Sequence, residues 1–324
     1  MKLPTDLDAT DSEASPLPSL GAALERLEPW LTRGFDAARW GNRAARQAVA
    51  AATDRVLGQD FEDRLRIVRE RVGPAGVDPF GLDPEWARHA VAIMSLLHRL
   101  YFRTLVFDID RVPKGAVLLV ANHSGQVPLD GMMLGASMFL DANPPRIARS
   151  MVEKWTQSMP FISTVFQRVG QVVGVPENAR SLLERGECVV VFPEGVKGIS
   201  KPYKERYQLK PFGLGFMRLA LETKTPIVPV GIVGAEEQYI SVANMGRLAK
   251  LMGVPSLPLL PQMLVPGGQL PLPVRYRIYF GEPLSFSGDP DDDDEAIELK
   301  VTEVQRAVGA LLDRGLRERP GLFQ

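Results

Sequence analysis

Of the three histidines in this 324-residue chain, one, His123, stands where an apolar run ends. The run Gly115–Ala121 reads as a buried strand, and it gives way to Asn122-His123-Ser124-Gly125-Gln126-Val127-Pro128-Leu129-Asp130-Gly131. An unperturbed imidazole titrates near pH ~6.5, so it accepts protons readily under physiological conditions. Asp130 follows just after a proline that can open a helix. A carboxylate within reach of an imidazole sets its tautomer and stabilises the imidazolium that forms. His123 is therefore the candidate general base and Asp130 its orienting acid, across a turn of six intervening residues. About sixty residues later a second apolar run, Glu187–Val191, leads into Phe192-Pro193-Glu194-Gly195-Val196-Lys197-Gly198.

Two strand-to-turn junctions can form one site only if their strands lie side by side. The pattern between residues 105 and 280 alternates strand and helix signals. Strands are expected at Leu105–Ile109, Ala116–Ala121, Ile147–Met151, Val169–Val173, Glu187–Phe192, Ile227–Val233 and Arg275–Phe280. Helices are expected at Leu129–Leu140, Glu153–Gln167, Glu177–Arg185, Pro211–Glu222 and Asp291–Arg314, the last stopping before Gly315. Continuous apolar strands between helices imply an α/β fold, a mainly parallel sheet covered by helices on both faces. Ligands of such sheets gather outside the carboxyl ends of the strands, where both junctions lie.

Upstream, residues 1–18 are acidic and polar and read as a disordered tail, and 19–82 as an N-terminal helical extension. The α/β domain is expected to run from 83 to 324. It opens with a helix over 84–103 capped by Asp83, with Pro84 in its first turn. On this helix Ala90, Ile93, Met94, Leu97, Leu100 and Tyr101 make one apolar stripe, opposite Arg88, Ser95, Arg99 and Arg103. His89 and His98 on it read as surface or packing residues. Residues 251–273 form an apolar segment interrupted by prolines, either a buried connection or a loop that meets lipid or walls an acyl tunnel.

Net charge is −1 with 45% hydrophobic and 24% charged residues, an ordinary globular balance that excludes a polyelectrolyte binder. Residues 146–224 nevertheless carry about six more basic than acidic side chains, which suits an anionic substrate or membrane surface. The single cysteine, Cys188, falls inside an apolar strand and reads as a buried thiol. No signal peptide and no spanning helix are expected. A Gly-x-Ser-x-Gly elbow, a P-loop, a complete dinucleotide fingerprint and zinc-ligand spacing are all missing from the sequence. Basic residues are not interleaved with aromatics, so no nucleic-acid partner is expected.

The two junctions together resemble the motifs of the glycerolipid acyltransferase superfamily. Its first motif is Asn-His-x4-Asp, matched by Asn122, His123 and Asp130 with two extra residues; its third is Phe-Pro-Glu-Gly followed by a basic residue, matched by Phe192 to Gly195 with Lys197. A fourth, apolar with a central proline, is matched by Thr225-Pro226-Ile227-Val228-Pro229-Val230. The second is echoed by Phe166-Gln167-Arg168-Val169-Gly170, and Glu205-Arg206-Tyr207-Gln208-Leu209 is similar to a segment of the bacterial branch related to mono- and diacylglycerol acyltransferases. The resemblance spans roughly residues 85 to 285. It implies transfer of a fatty acyl group from acyl-CoA or acyl-carrier protein to a hydroxyl of a glycerolipid or lysophospholipid, with His123 as base, Asp130 as its partner and no cofactor beyond the acyl donor. It further implies substrate-binding roles for Asn122, Ser124, Gly125, Arg168, Phe192, Pro193, Glu194, Gly195, Lys197 and Arg206. Lys201 and Lys204 follow closely and are further candidate contacts for phosphate or CoA. The implied partners are a lipid acceptor, an acyl thioester and a membrane surface, at the cytoplasmic face of the cell membrane. A lipid-binding protein without catalysis, or a lipid hydrolase, are the rival readings.

Overall fold

The computed structural model describes residues 57–125, 127–153, 162–245, 258–265 and 267–324. Two compact units are distinguished, Met1–Thr53 and Asp54–Gln324, and every described residue belongs to the second. The expected tail, the extension up to residue 56 and the first part of the 153–167 helix thus lie outside the described residues.

Nine strands are described: β1 Leu105–Phe107, β2 Val117–Ala121, β3 Arg149–Val152, β4 Val172–Val173, β5 Cys188–Val191, β6 Ile227–Val233, β7 Ala243–Asn244, β8 Pro258–Leu259 and β9 Arg277–Phe280. Seven form one sheet in the order β1-β9-β6-β2-β5-β3-β4, and these are the seven expected strands. Within this sheet only the β6–β9 pairing is antiparallel, and β7 and β8 form a separate antiparallel pair. The central strands are Val- and Ile-rich runs with no polar side chain, so they can be buried on both faces. Every residue of β2 and of β6 is buried.

Successive side chains point to opposite faces, so each strand feeds two cores. On one face Val117, Leu119, Ala121, Val190, Val228, Val230 and Ile232 meet Met133, Leu134 and Met138 of helix α3, Leu129–Leu140. On the other, Leu118, Val120, Val189 and Ile227 meet helices α5 (Pro176–Glu184), α7 (Gly215–Thr223) and α8 (Asp294–Glu318). Cys188 is a free, buried thiol, and burial pushes its pKa up to about 11.

Two expectations fail for identifiable reasons. Helix α8 does not stop at Gly315 but continues to Glu318. That glycine is a close-approach position, since a Cβ there would sit 2.7 Å from the Tyr279 ring and 2.8 Å from Val233. The second failure concerns helix α2, Pro84–Leu96, and the π-turn Leu97–Tyr101 that prolongs it. Asp83 caps it as expected, accepting from the backbone N–H of Glu85 at 2.9 Å. Its buried face, however, is Ala87, Val91, Ser95 and His98, while Ile93, Leu96 and Leu100 are exposed. The cause is helix α1, Phe61–Val72, which packs Phe61, Leu65 and Val68 against Val91, Phe139 and Leu140. Ser95 is tolerated inside because its hydroxyl donates to the Val91 carbonyl at 2.7 Å.

Gly231 of β6 lies directly under α8; a Cβ there would be 2.7 Å from Leu311 Cβ and 3.1 Å from its backbone carbon. A helix backbone cannot step aside as a flexible side chain can. Gly231→Ala should lower unfolding free energy by about 1–3 kcal/mol, the cost of overpacking, as read by urea denaturation. An unchanged midpoint would mean that α8 is not seated on β6 as described.

Candidate active site

Register brings the two junctions together. β2 pairs in parallel with β5 through Val120↔Val191 and with β6 through Ala121↔Val230. All three strands therefore end on the same edge. β2 delivers His123, β5 delivers Glu194, and β6 delivers the turn Ala235–Glu237. Asn122 ties the first to the third: its amide donates to the Ile232 carbonyl at 3.0 Å and accepts from the Ile232 N–H at 2.7 Å. The side chain thus continues the sheet ladder one step beyond the strand.

Asp130 sits in the first turn of α3, at its positive dipole end, and is fully buried. Its Oδ2 accepts from His123 Nδ1 at 2.8 Å and from the Ser124 N–H at 2.9 Å; its Oδ1 accepts from the Gly131 N–H at 2.8 Å. A carboxylate is an acceptor, so Nδ1 carries the proton, and in the neutral ring the lone pair then lies on Nε2. The six-residue separation is closed by a tight turn, in which Val127 N donates to Gly125 O at 2.6 Å and Leu129 N to Val127 O at 2.7 Å. Gly125 has a φ of +91°, a region open to glycine. The Phe192 ring stacks on the imidazole at 4.2 Å between centroids. Gly198 backs it, since a Cβ there would lie 2.8 Å from the His123 carbonyl and 2.9 Å from its Cβ. The imidazole is 13% exposed, enough for one edge to meet a substrate.

Glu194 faces inward. Its Oε1 accepts from the His123 backbone N–H at 2.9 Å, and its Oε2 from the Lys210 N–H at 2.7 Å and from Lys201 Nζ at 3.5 Å. Lys201 Nζ also lies 2.9 Å from Glu236 Oε1 and 3.3 Å from the Gln208 carbonyl. Burial raises the Glu236 carboxyl's pKa, with the Lys201 charge working against that rise. Beside this cluster Tyr207 donates to Glu237, accepts from the Gly234 N–H at 2.8 Å, and Arg319 pairs with Glu237 at 2.6 Å.

The residues expected at the substrate divide into two groups. Asn122, Ser124 and Gly125 are buried and brace the turn, so in this structure they present no surface to a ligand. The Ser124 hydroxyl is buried with no hydrogen-bond partner. Pro193 accepts from Gly213 N at 3.0 Å, and Gly195, with a φ of +54°, turns the chain into the short helix α6, Val196–Ile199. Lys197 on that helix, Lys204 and Arg206 are exposed, Arg206 over the Tyr203 ring at 4.5 Å. Lys201 was expected among the phosphate contacts and is instead enclosed by two carboxylates. Arg168 ends helix α4, Ile162–Arg168, and engages Trp86 of α2 and its capping residue Asp83 rather than His123 or Glu194. His98 is buried against Ser137, seven residues along α3 from Asp130 or about 10 Å. Burial, with Arg99 beside it, pushes His98 down to about 4.

Sequence reasoning missed Glu236, Glu237, Gln238 and Tyr276, and it singled out Arg206 where its neighbour Tyr207 is the one turned inward. One signal was available. Ala235-Glu236-Glu237-Gln238 follows an apolar strand at once, and polar groups at such a place need partners. Lys201→Met should leave Glu194 and Glu236 as buried carboxylates without their cation. Breaking a buried pair costs about 3–5 kcal/mol, and adding Glu236→Gln should recover part of it. Thermal melts of both variants decide this, and a silent Lys201→Met would show the cluster to be solvated.

A family model described as Acyltransferase matches residues 103–233. An uncharacterized Mycobacterium tuberculosis protein is 35% identical over 281 residues, which is 84% of this chain and 78% of that protein. The mouse protein named DGAT1/2-independent enzyme synthesizing storage lipids is 24% identical over 212 residues, 65% of this chain and 60% of its own length. Among solved structures, the 1-acyl-sn-glycerophosphate acyltransferase PlsC of Thermotoga maritima aligns with a TM-score of 0.47 at 18% identity, over 73% of this chain and 80% of that one. The matched segment contains β2, β5 and β6, with His123 and Glu194 just beyond the first two and Asp130 in α3, and the chain belongs to the glycerolipid acyltransferase superfamily.

Proposed function

We propose that this protein transfers a fatty acyl group from acyl-CoA or an acyl-carrier protein to a hydroxyl of a glycerolipid or lysophospholipid. The observation that carries this reading is the His123–Asp130 contact, with Nδ1 engaged and Nε2 left for a substrate proton. The acceptor O–H gives its proton to Nε2 as its oxygen attacks the thioester carbonyl. A tetrahedral oxyanion forms, the C–S bond breaks, and the imidazolium returns the proton to the departing thiolate. Asp130 stabilises the transient imidazolium. Lys197 and Arg206, exposed beside the site's own turns, are the proposed partners for an anionic group of donor or acceptor.

Both substrates partition into bilayers, so the enzyme works at a membrane surface, and the proposed location is peripheral, at the cytoplasmic face of the cell membrane. Among the described residues, no helix is long and apolar enough to cross a membrane. Two groups of exposed apolar side chains support surface attachment. Ile93, Leu96 and Leu100 lie on α2 and its π-turn; Met263, Leu264, Val265 and Leu270 lie in the proline-rich loop, with Leu264 87% exposed. The two are linked, since the Tyr101 hydroxyl donates to the Pro271 carbonyl.

Purified protein incubated with labelled acyl-CoA or acyl-carrier protein and a panel of lysolipids and partial glycerides tests the reading. Acylated lipid is the expected product; free fatty acid alone would indicate a hydrolase, and binding without turnover a non-catalytic protein. His123→Ala should lower kcat by at least ~10²-fold, the low end for a general base, and Asp130→Asn less. Near wild-type turnover in His123→Ala would remove it from the mechanism.

Flotation with anionic and neutral vesicles addresses the surface. Wild-type protein should float, more strongly with anionic lipid, and Leu264→Asp with Leu270→Asp should weaken flotation without changing circular dichroism. Protein that stays at the bottom with both vesicles would contradict the attachment.

A further inference from the structure

We propose that Gln238 and Tyr276 form a positioning pair that holds the extended His123–Asp130 turn in its working shape. The inference rests on the reading of His123 as base, and it adds residues from outside the motif. Gln238 follows the turn after β6 and is fully buried. Its amide nitrogen donates to Gly125 O at 2.8 Å and to Val127 O at 2.9 Å. Both hydrogens of one amide thus pin two carbonyls of the same turn. Two carbonyls can only accept, which fixes the amide's orientation and points Oε1 the other way. There the Tyr276 hydroxyl donates to it at 2.6 Å, also from a fully buried position. Burial and the nearby Asp130 charge hold the Tyr276 phenol protonated, as a donor must be.

The turn needs this support. His123 and Asp130 are seven residues apart, and the backbone–backbone bonds within the turn link only residues two apart, while the Ser124 N–H and the imidazole close it onto Asp130. Such bonds set local shape but do not anchor the turn to the body of the protein. Gln238 does, through β6, and the fit is close: a Cβ on Gly125 would fall 2.2 Å from the Gln238 amide nitrogen. The backbone carbonyl of Gln238 accepts from Leu272 N at 2.8 Å, so the same residue also ties down the end of the apolar loop. Neither Gln238 nor Tyr276 is bonded to His123 or Asp130 in the structure, and their effect is therefore on the geometry of the dyad.

The test has two readouts. Gln238→Leu should lower kcat by about 10-fold or more with KM within about twofold, since an interaction that shapes the base contributes in the transition state. Tyr276→Phe, a milder change, should act in the same direction. The double variant should be no worse than Gln238→Leu alone, because the two act as a unit. Nitrogen-15 histidine NMR, with the His123 signals assigned by His123→Ala, needs no substrate and so stands apart from the identity of the reaction. Wild type should show a single Nδ1-protonated form for His123, and Gln238→Leu a mixture of tautomers. Additive kinetic losses, or a His123 spectrum unchanged in both single variants, would overturn the proposal; loss of the tautomer preference with no acyl transfer detected in any form would leave the pair intact and refute the acyl-transfer reading instead.

Discussion

The arrangement depends on one carboxylate that the solvent does not reach. Glu194 receives the backbone N–H of His123 from one side and that of Lys210 from the other, joining the end of β2 to the segment that follows β5. A hydrogen bond to a charged group contributes about 1.5–3 kcal/mol, and leaving such a group unpaired inside costs more. The turn that carries His123 is thus held at its backbone as well as at its ring. The four residues of this motif thus act on the His123 turn. Phe192 lies on the imidazole, Pro193 and Gly195 shape the turn, and Glu194 bonds the neighbouring strand's exit.

Charge is handled in two layers. In the inner one, Glu194, Glu236 and Lys201 form a buried cluster, joined by Glu237, Tyr207 and Arg319 alongside it. Three carboxylates surround two cations here, so both Lys201 and Arg319 are engaged within the cluster. The outer layer is the exposed cations, Lys197, Lys204 and Arg206 among them. Under the proposed function, a phosphate or a membrane would meet the outer layer, and the inner one would set the geometry of His123.

The sheet was legible because its strands are unbroken apolar runs between helical segments, and all seven were expected within three residues of their observed ends. The pairing of His123 with Asp130 was legible from residue type and from their place beyond a strand. Other features depended on tertiary neighbours that a local pattern does not contain. The buried face of α2 is chosen by α1, which turns Ser95 inward and leaves Ile93 outside. Gly315 resembles a helix stop but serves a close contact with Tyr279. Lys201 resembles a surface cation but has two carboxylates brought to it from β5 and β6, and Gln238 reaches Gly125 across more than a hundred residues of chain.

The central claim is that Glu194 positions the base and does not bind the acceptor. Steady-state kinetics of Glu194→Gln measure this directly. The amide keeps an oxygen for His123 N–H but turns N–H groups toward the Lys210 donor, so the turn should loosen while the surface seen by substrate is unchanged. The account predicts a large fall in kcat with KM nearly constant for donor and acceptor. A raised acceptor KM with kcat preserved would contradict it, and would place Glu194 in contact with the substrate.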